Sequence, residues 1–263
     1  MIHLAALRLS REDIDTGYPF DVPVIAQLHS LAFHTPVTFF VGENGAGKST
    51  LLEAIGAGAR SITVGGEDIA ADASLAPARA LAGRLRLTWK RKSHRGFFMR
   101  AEDFLNYSRR VARLAGELDD LSSEYDQSLA GYGRTLATGM VRGQRAALIE
   151  RYGEDLDARS HGESFLKLFQ ARFVPGGLYL LDEPDTALSP QRQLSLLHLI
   201  KTMVDQDAQF IIATQSPFLM AFPGATILSF DRPPIRAVRY DEVEQVVLAR
   251  NFLERPDAYL RQL

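Results

Sequence analysis

Cysteine is absent from this 263-residue chain, which removes disulfides, thiolate metal sites and a cysteine nucleophile at once. Long apolar runs are missing too. Val37–Val41 and Phe210–Ala213 are among the most apolar stretches, far below the ~20 residues a membrane-spanning helix needs. Charged Arg11, Glu12 and Asp13 arrive before an apolar signal core can form, so Met1–Ser10 reads as a strand and the expected location is cytoplasmic, with no direct membrane insertion. Charge of one sign is also lacking: 30 Lys and Arg stand against 32 Asp and Glu, a formal −2, so no global pull toward nucleic acid or membrane exists. The remainder, 46% apolar and 24% charged, is the composition of a globule able to bury a substantial core.

What the chain does have begins at Gly42-Glu-Asn-Gly-Ala-Gly-Lys-Ser-Thr50. Gly42, Gly47, Lys48 and Ser49 fit the phosphate-binding loop G-x-x-x-x-G-K-[ST]. Gly45 and Gly47 let the backbone curl so that amide groups face an anion. Lys48 reaches the outer phosphates and the Ser49 hydroxyl suits Mg²⁺. A glycine-rich turn can match by chance, but the flanks argue otherwise. Val37-Thr-Phe-Phe-Val41 reads as a buried strand, and Leu51, Leu52 and Ile55 fall at helical spacing. Strand, glycine loop and helix together aim a helix N-terminus at phosphate.

A second strand ends in acids, at Leu178-Tyr-Leu-Leu-Asp182-Glu183-Pro184. Beside a phosphate loop, Asp182 suits Mg²⁺ and Glu183 suits a general base that orients water. Ser160-His-Gly162-Glu-Ser164 opens a helix and offers a second anion position, although Ser-x-Gly is also an ordinary N-cap. Thr186–Pro190 follows the acidic pair, and Ile211-Ile-Ala-Thr-Gln215-Ser-Pro217 ends the next strand.

Strands separated by helices in the final third imply a parallel sheet covered on both faces. The expected fold is α/β: a mostly parallel central sheet, an N-terminal antiparallel strand region and a helical lobe at about 85–175 between the two site halves, all in one domain over 1–263. Leu85–Trp89 and Gly96–Met99, joined by Lys90–Arg95, read as a hairpin. Ala101–Leu129 reads as a helix with Phe104, Tyr107, Val111 and Leu114 on one face, and glycines 131, 133, 139 and 143 suggest a mobile connection.

In this order the motifs Gly42–Thr50, Ser160–Ser164, Leu178–Pro184, Ala187–Pro190 and Ala213–Pro217 resemble the phosphate-loop ABC-type ATPase head. Within that class the chain looks most like small stand-alone bacterial ATPases of the AAA_21 and recombination-protein-like groups. The resemblance implies ATP and Mg²⁺ as cofactors, held by Gly42, Glu43, Asn44, Gly45, Ala46, Gly47, Lys48, Ser49 and Thr50. It implies Ser49 and Asp182 at the metal, and Lys48, Glu183 and Gln215 in catalysis. Ser160 and Gly162 would meet the γ-phosphate of ATP held by a second protomer in a homodimer formed on ATP binding. Four departures accompany it: Arg159, His161 and Glu163 in the signature, Ser189 where Asp is usual, no glutamine clearly placed before the signature (Gln144 lies in the glycine-rich stretch), and Gln215 where histidine is typical. A neutral amide in that last place suggests slow hydrolysis.

Other signals stay open. Tyr18 or Phe20 suits an adenine platform or a packed aromatic. Between Arg79 and Arg113 stand Arg79, Arg84, Arg86, Lys90, Arg91, Lys92, Arg95, Arg100, Arg109, Arg110 and Arg113, opposed by Glu102 and Asp103. That stretch reads as a nucleic-acid surface or as a solvated face. Glu117, Asp119, Asp120, Glu124 and Asp126 then suit a protein partner or intrachain pairing. The function expected is an ATPase acting on a nucleic acid or protein partner. The alternatives are a nucleotide-binding transporter subunit and an ATP-gated interaction module with little hydrolysis.

Overall fold

A computed structural model describes residues 1–11, 16–64, 69, 72–152 and 161–261, with side chains at 104–112, 149–152 and 161–164 outside the description. Two sheets organise it. The larger has the strand order β5-β6-β7-β3-β8-β9, comprising β3 (Val37–Val41), β5 (Gly96–Arg100), β6 (Leu178–Asp182), β7 (Gln209–Ala213), β8 (Thr226–Ser229) and β9 (Arg236–Val238). All its pairings are parallel except β8 with β9. The smaller is antiparallel, in the order β2-β1-β4, from β1 (Leu4–Leu9), β2 (Ser30–Ala32) and β4 (Leu85–Trp89). This is the α/β class with N-terminal antiparallel strands that the sequence predicts.

The expected hairpin over 85–99 does not form. Strand β4 pairs with β1, whereas β5 lies beside β6 in the other sheet. The reason is in the side chains. Leu-Arg-Leu-Thr-Trp alternates apolar and polar, as a strand with one wet face does, while Phe97, Phe98 and Met99 are buried consecutively, as in a parallel strand covered on both faces.

Helix α2 (Lys48–Ala59) lies between the sheets. One apolar cluster joins its Leu51, Leu52 and Ile55 to Leu4 and Leu7 of the small sheet and to Phe40, Leu180 and Ile211 of the large one. A second cluster covers the opposite face, where Phe165, Leu168 and Phe169 of α6 (His161–Arg172) and Leu196 and Ile200 of α7 (Pro190–Asp205) meet Phe39, Tyr179 and Phe210. The sheets are also tied directly. The fully buried Gln209 side chain accepts from the His3 and Leu4 amides at 2.7 and 2.8 Å and donates to the Leu4 carbonyl at 2.9 Å.

Between β5 and β6 run α4 (Ala101–Ser128), α5 (Gly131–Tyr152) and α6. The expected mobile connection at 131–143 is instead the first half of α5, where the glycines are tolerated because α5 is anchored. Thr138 and Val141 are buried. Asp126 pairs with Arg134 and Arg142 at 2.9 and 2.8 Å, and Asp119 pairs with Arg145. Asp119 and Asp126 therefore take intrachain partners, as does Glu117 with Arg113 at 3.6 Å. Among the described residues, no helix is long and apolar enough to cross a membrane.

Candidate functional site

Adjacent strands β6, β7 and β3 end at the same edge of the sheet, so their C-terminal loops converge. Gly42, Gly45 and Gly47 have φ of 139°, 80° and 97°, in the region that favours glycine. At Gly47 space matters as well, since a Cβ there would lie 2.8 Å from Val22 Cγ1. Gly47 is also the N-cap of α2 and brings no capping side chain, so the first amides of α2 lack both intrahelical and side-chain partners. A helix start of this kind favours an anion.

Lys48 is 4% exposed, and its Nζ curls back to donate to the carbonyls of Gly42 at 2.8 Å and Glu43 at 2.9 Å. Burial lowers its pKa, opposed by the charges of Glu183, Asp182, Asp231 and Glu43. Ser49 Oγ donates to Asp182 Oδ1 at 3.0 Å, joining positions 133 residues apart in sequence. Burial pushes Asp182 up to about 7; the Ser49 hydrogen bond opposes this and the charge of Glu183 adds to it.

Glu183 takes φ of 49°, a region uncommon for a residue with a side chain. Its N–H donates to the Ala213 carbonyl at 2.9 Å, which fixes the turn after β6 against β7. Thr214 Oγ1 donates to Asp185 Oδ1, and Gln215 Nε2 donates to Asn44 Oδ1 in the phosphate loop. Gln215 thus touches the loop directly. Ser189 caps α7, its side chain accepting from the Arg192 amide.

Of the candidate residues, Gly42–Thr50, Asp182, Glu183 and Gln215 gather at this edge. Ser160, with Arg159, lies outside the described residues. Gly162 falls in α6, but the side chains of its neighbours His161 and Glu163 are not described. Gln144 is exposed on α5, in the lobe. The two aromatic candidates separate: Phe20 is buried in the core, whereas Tyr18 is 60% exposed with its hydroxyl 3.1 Å from Thr50 Oγ1.

Three charged residues at this edge carry no site signal in the sequence, where Glu53 and Asp231 are unmarked and Arg100 is one cation of the basic stretch. Glu53 sits one turn after Ser49 on α2, and burial, followed by the charge of Asp182, pushes it up to about 7. The spacing of four could have shown it, since i and i+4 share a helix face. Arg100, paired in register with Asp182, is buried among Asp103 at 2.8 Å, Asp72 at 2.9 Å, Glu102 at 3.2 Å and Glu53 at 3.9 Å. It belongs to this acid cluster and not to an exposed basic surface. Asp231 accepts from the Glu43 amide at 2.9 Å, and no local pattern marks it.

The residues present fit Mg²⁺ with a polyphosphate. A hydroxyl and a carboxylate are hard oxygen donors, a lysine stands beside them, and the uncapped helix start adds amide donors. Burial pushes Asp182 and Glu53 up to about 7, and a cation beside them would favour their charged forms.

A family model described as "AAA domain" matches residues 24–59, and one described as "AAA domain, putative AbiEii toxin, Type IV TA system" matches residues 165–221. No curated protein matches the chain. Similar solved structures include cbiO1 from Clostridium perfringens, part of the ABC transporter complex cbiONQ (17% identity, 100% of each chain covered, TM-score 0.41). Another is the SMC head domain from Thermotoga maritima (16% identity, 90% of this chain and 98% of that one, TM-score 0.42). A third is an ATP-binding cassette of an ABC transporter in its ADP conformation (15% identity, 97% and 98%, TM-score 0.47). The two matched segments carry the phosphate loop and the acidic pair with Gln215, and in them the chain resembles AAA-type ATPase domains.

Proposed function

We propose that this chain binds MgATP in the Gly42–Thr50 loop and hydrolyses it, as one ATPase head over 1–263 with the helices between β5 and β6 as an inserted lobe. One observation carries the reading: the Ser49 hydroxyl, the Asp182 carboxylate and the buried Lys48 ammonium meet at the phosphate loop although they come from distant segments. Lys48 exchanges its two loop carbonyls for β- and γ-phosphate oxygens, and the α2 amides hold the phosphate from the other side. Ser49 and Asp182 would hold Mg²⁺, whose charge offsets that of the phosphates. Glu183, on its own turn beside Asp182, orients the attacking water and takes its proton. Gln215, already bonded to Asn44, donates to the γ-phosphate as a neutral amide, consistent with slow turnover.

Two copies closing on ATP, with Ser160 and Gly162 of each facing the other's nucleotide, complete the site and couple the cycle to a nucleic acid or protein partner. The test is phosphate release by the purified chain, with sedimentation in ATP. Wild type should release phosphate slowly, and Glu183→Gln should bind ATP, release almost none and sediment as a dimer. Equal release by both proteins refutes the role of Glu183, and a monomer in every nucleotide state refutes the clasp.

A further inference from the structure

The outward face of the small sheet carries charge of one sign. In the central strand β1, Arg8 is exposed and lies in register with Arg86 on β4 and with Ser30 on β2. Like charges directly opposite one another in a sheet are destabilising. Neither arginine has a carboxylate partner among the described residues. No Asp or Glu occurs in β1, β2, β4 or the loop 90–95. A cleft lined by Arg8, Ser10, Arg11, His29 and Arg86 opens at one end of this face.

Past the other end of β4 come exposed Lys90, Arg91 and Lys92, the last two beside a second cleft that also holds His3, Arg95 and Asp207. Their loop is anchored at its base, where Ser93 Oγ donates to the Gly176 carbonyl at 2.7 Å and Arg95 Nη1 donates to the Pro175 carbonyl at 3.3 Å. The loop is therefore pre-set rather than ordered on binding. Arg86 and Lys90 are four residues apart, about 13 Å of strand. That matches roughly four nucleotides of one duplex strand at ~3.4 Å each.

The occupant can be read from what lies between the cations. Ala6, Ala32, Ser30 and Thr88 are small, so a backbone can come close. None of the large exposed apolar residues lies on β1, β2 or β4. A protein partner would want an aromatic or aliphatic centre, and a membrane would want side chains that insert. We infer that this face, from Arg8 and Arg86 to Lys90–Lys92, binds the phosphate backbone of a nucleic acid. The inference goes beyond nucleotide hydrolysis and stands without it, since the surface belongs to the other sheet.

The test uses the full chain without nucleotide, with a labelled duplex and a labelled single strand of about 30 residues followed by fluorescence anisotropy across a salt series. Wild type should bind at least one probe. Relative to wild type, Arg8→Gln/Arg86→Gln should weaken binding at least about tenfold and lower the duplex salt slope by ~1.8, and Lys90→Gln/Arg91→Gln/Lys92→Gln should lower it by ~2.7, at ~0.9 per lost phosphate contact. Arg250→Gln, exposed on the C-terminal side of the molecule, should bind as wild type. Because the first variant removes a repulsion, its melting temperature should equal or exceed that of wild type. The proposal is overturned if neither probe binds, if the variants keep wild-type affinity and slope, or if Arg250→Gln loses as much. It is also overturned if the Arg8 and Arg86 variant melts lower, or if phosphatidylserine vesicles outcompete the duplex.

Discussion

At the carboxyl ends of β3, β6 and β7, Lys48 is folded onto its own loop, Ser49 is bonded to Asp182, and Arg100 is enclosed by four acids. On the outer face of β1 and β4, Arg8 stands across from Arg86 with no carboxylate partner among the described residues. Both arrangements cost free energy in isolation, the first through desolvated charge and the second through repulsion. The first is compensated internally and holds a geometry. The second awaits compensation from outside. A charge count over the sequence cannot separate them, because Arg86 and Arg100 look alike until the fold places them.

The largest expected effect lies in the compensated region: Glu183→Gln should cut turnover by about 10²–10⁴-fold while leaving ATP binding intact, as single-turnover and binding measurements would show. Next is Arg100→Ala. Removing the cation leaves Asp103 and Asp72 without it, and breaking a buried pair costs about 3–5 kcal/mol, to be read by urea unfolding. Arg8→Ala in the same assay should cost nothing. A comparable loss at Arg8 would erase the contrast between the two regions.

A smaller effect is expected at Gly47. Alanine there meets both the φ of 97° and the Val22 methyl at 2.8 Å, and the left-handed conformation alone costs about 1–2 kcal/mol. Gly45→Ala shares the backbone strain without the contact and should cost less.

The acid cluster also sets a pH response. Glu53 and Asp182 are pushed to about 7 in the fold, above the ordinary carboxylate range near 4. At these two groups the folded state then binds more protons, so without Mg²⁺ their contribution to stability is fully present below about pH 4 and is lost as pH rises through about 7. Unfolding midpoints at pH 5 and pH 8 should show the fall, Glu53→Gln should flatten it, and Mg²⁺ at pH 8 should offset it. The smallest effect concerns Gln215→His, which should raise turnover by up to about tenfold by supplying a chargeable donor to the γ-phosphate. No increase would remove the argument for slow hydrolysis from that residue.

What the sequence revealed divides along physical lines. The phosphate loop and the acidic pair were legible because each is a short, contiguous pattern with its strand attached. Long-range pairing was not. The charged run Lys90–Arg95 resembles a hairpin turn, and only the alternating burial of β4 against the continuous burial of β5 separates two sheets from one. Glu53 was visible in principle through its spacing from Ser49. Arg100 was visible only as one more cation, because its acids come from α2, the segment before α3 (Ala76–Arg84) and α4. The glycines of α5 suggest mobility by local propensity alone, which the packing of α4 and the Asp126 ion pairs override.

The central claim is that Lys48 and its loop form the triphosphate seat. Calorimetric titration of MgATP into wild type and Lys48→Ala tests it most directly. Saturable, Mg²⁺-dependent binding by wild type that weakens at least about tenfold in the variant is the result this account predicts. Equal affinity in both proteins would contradict it.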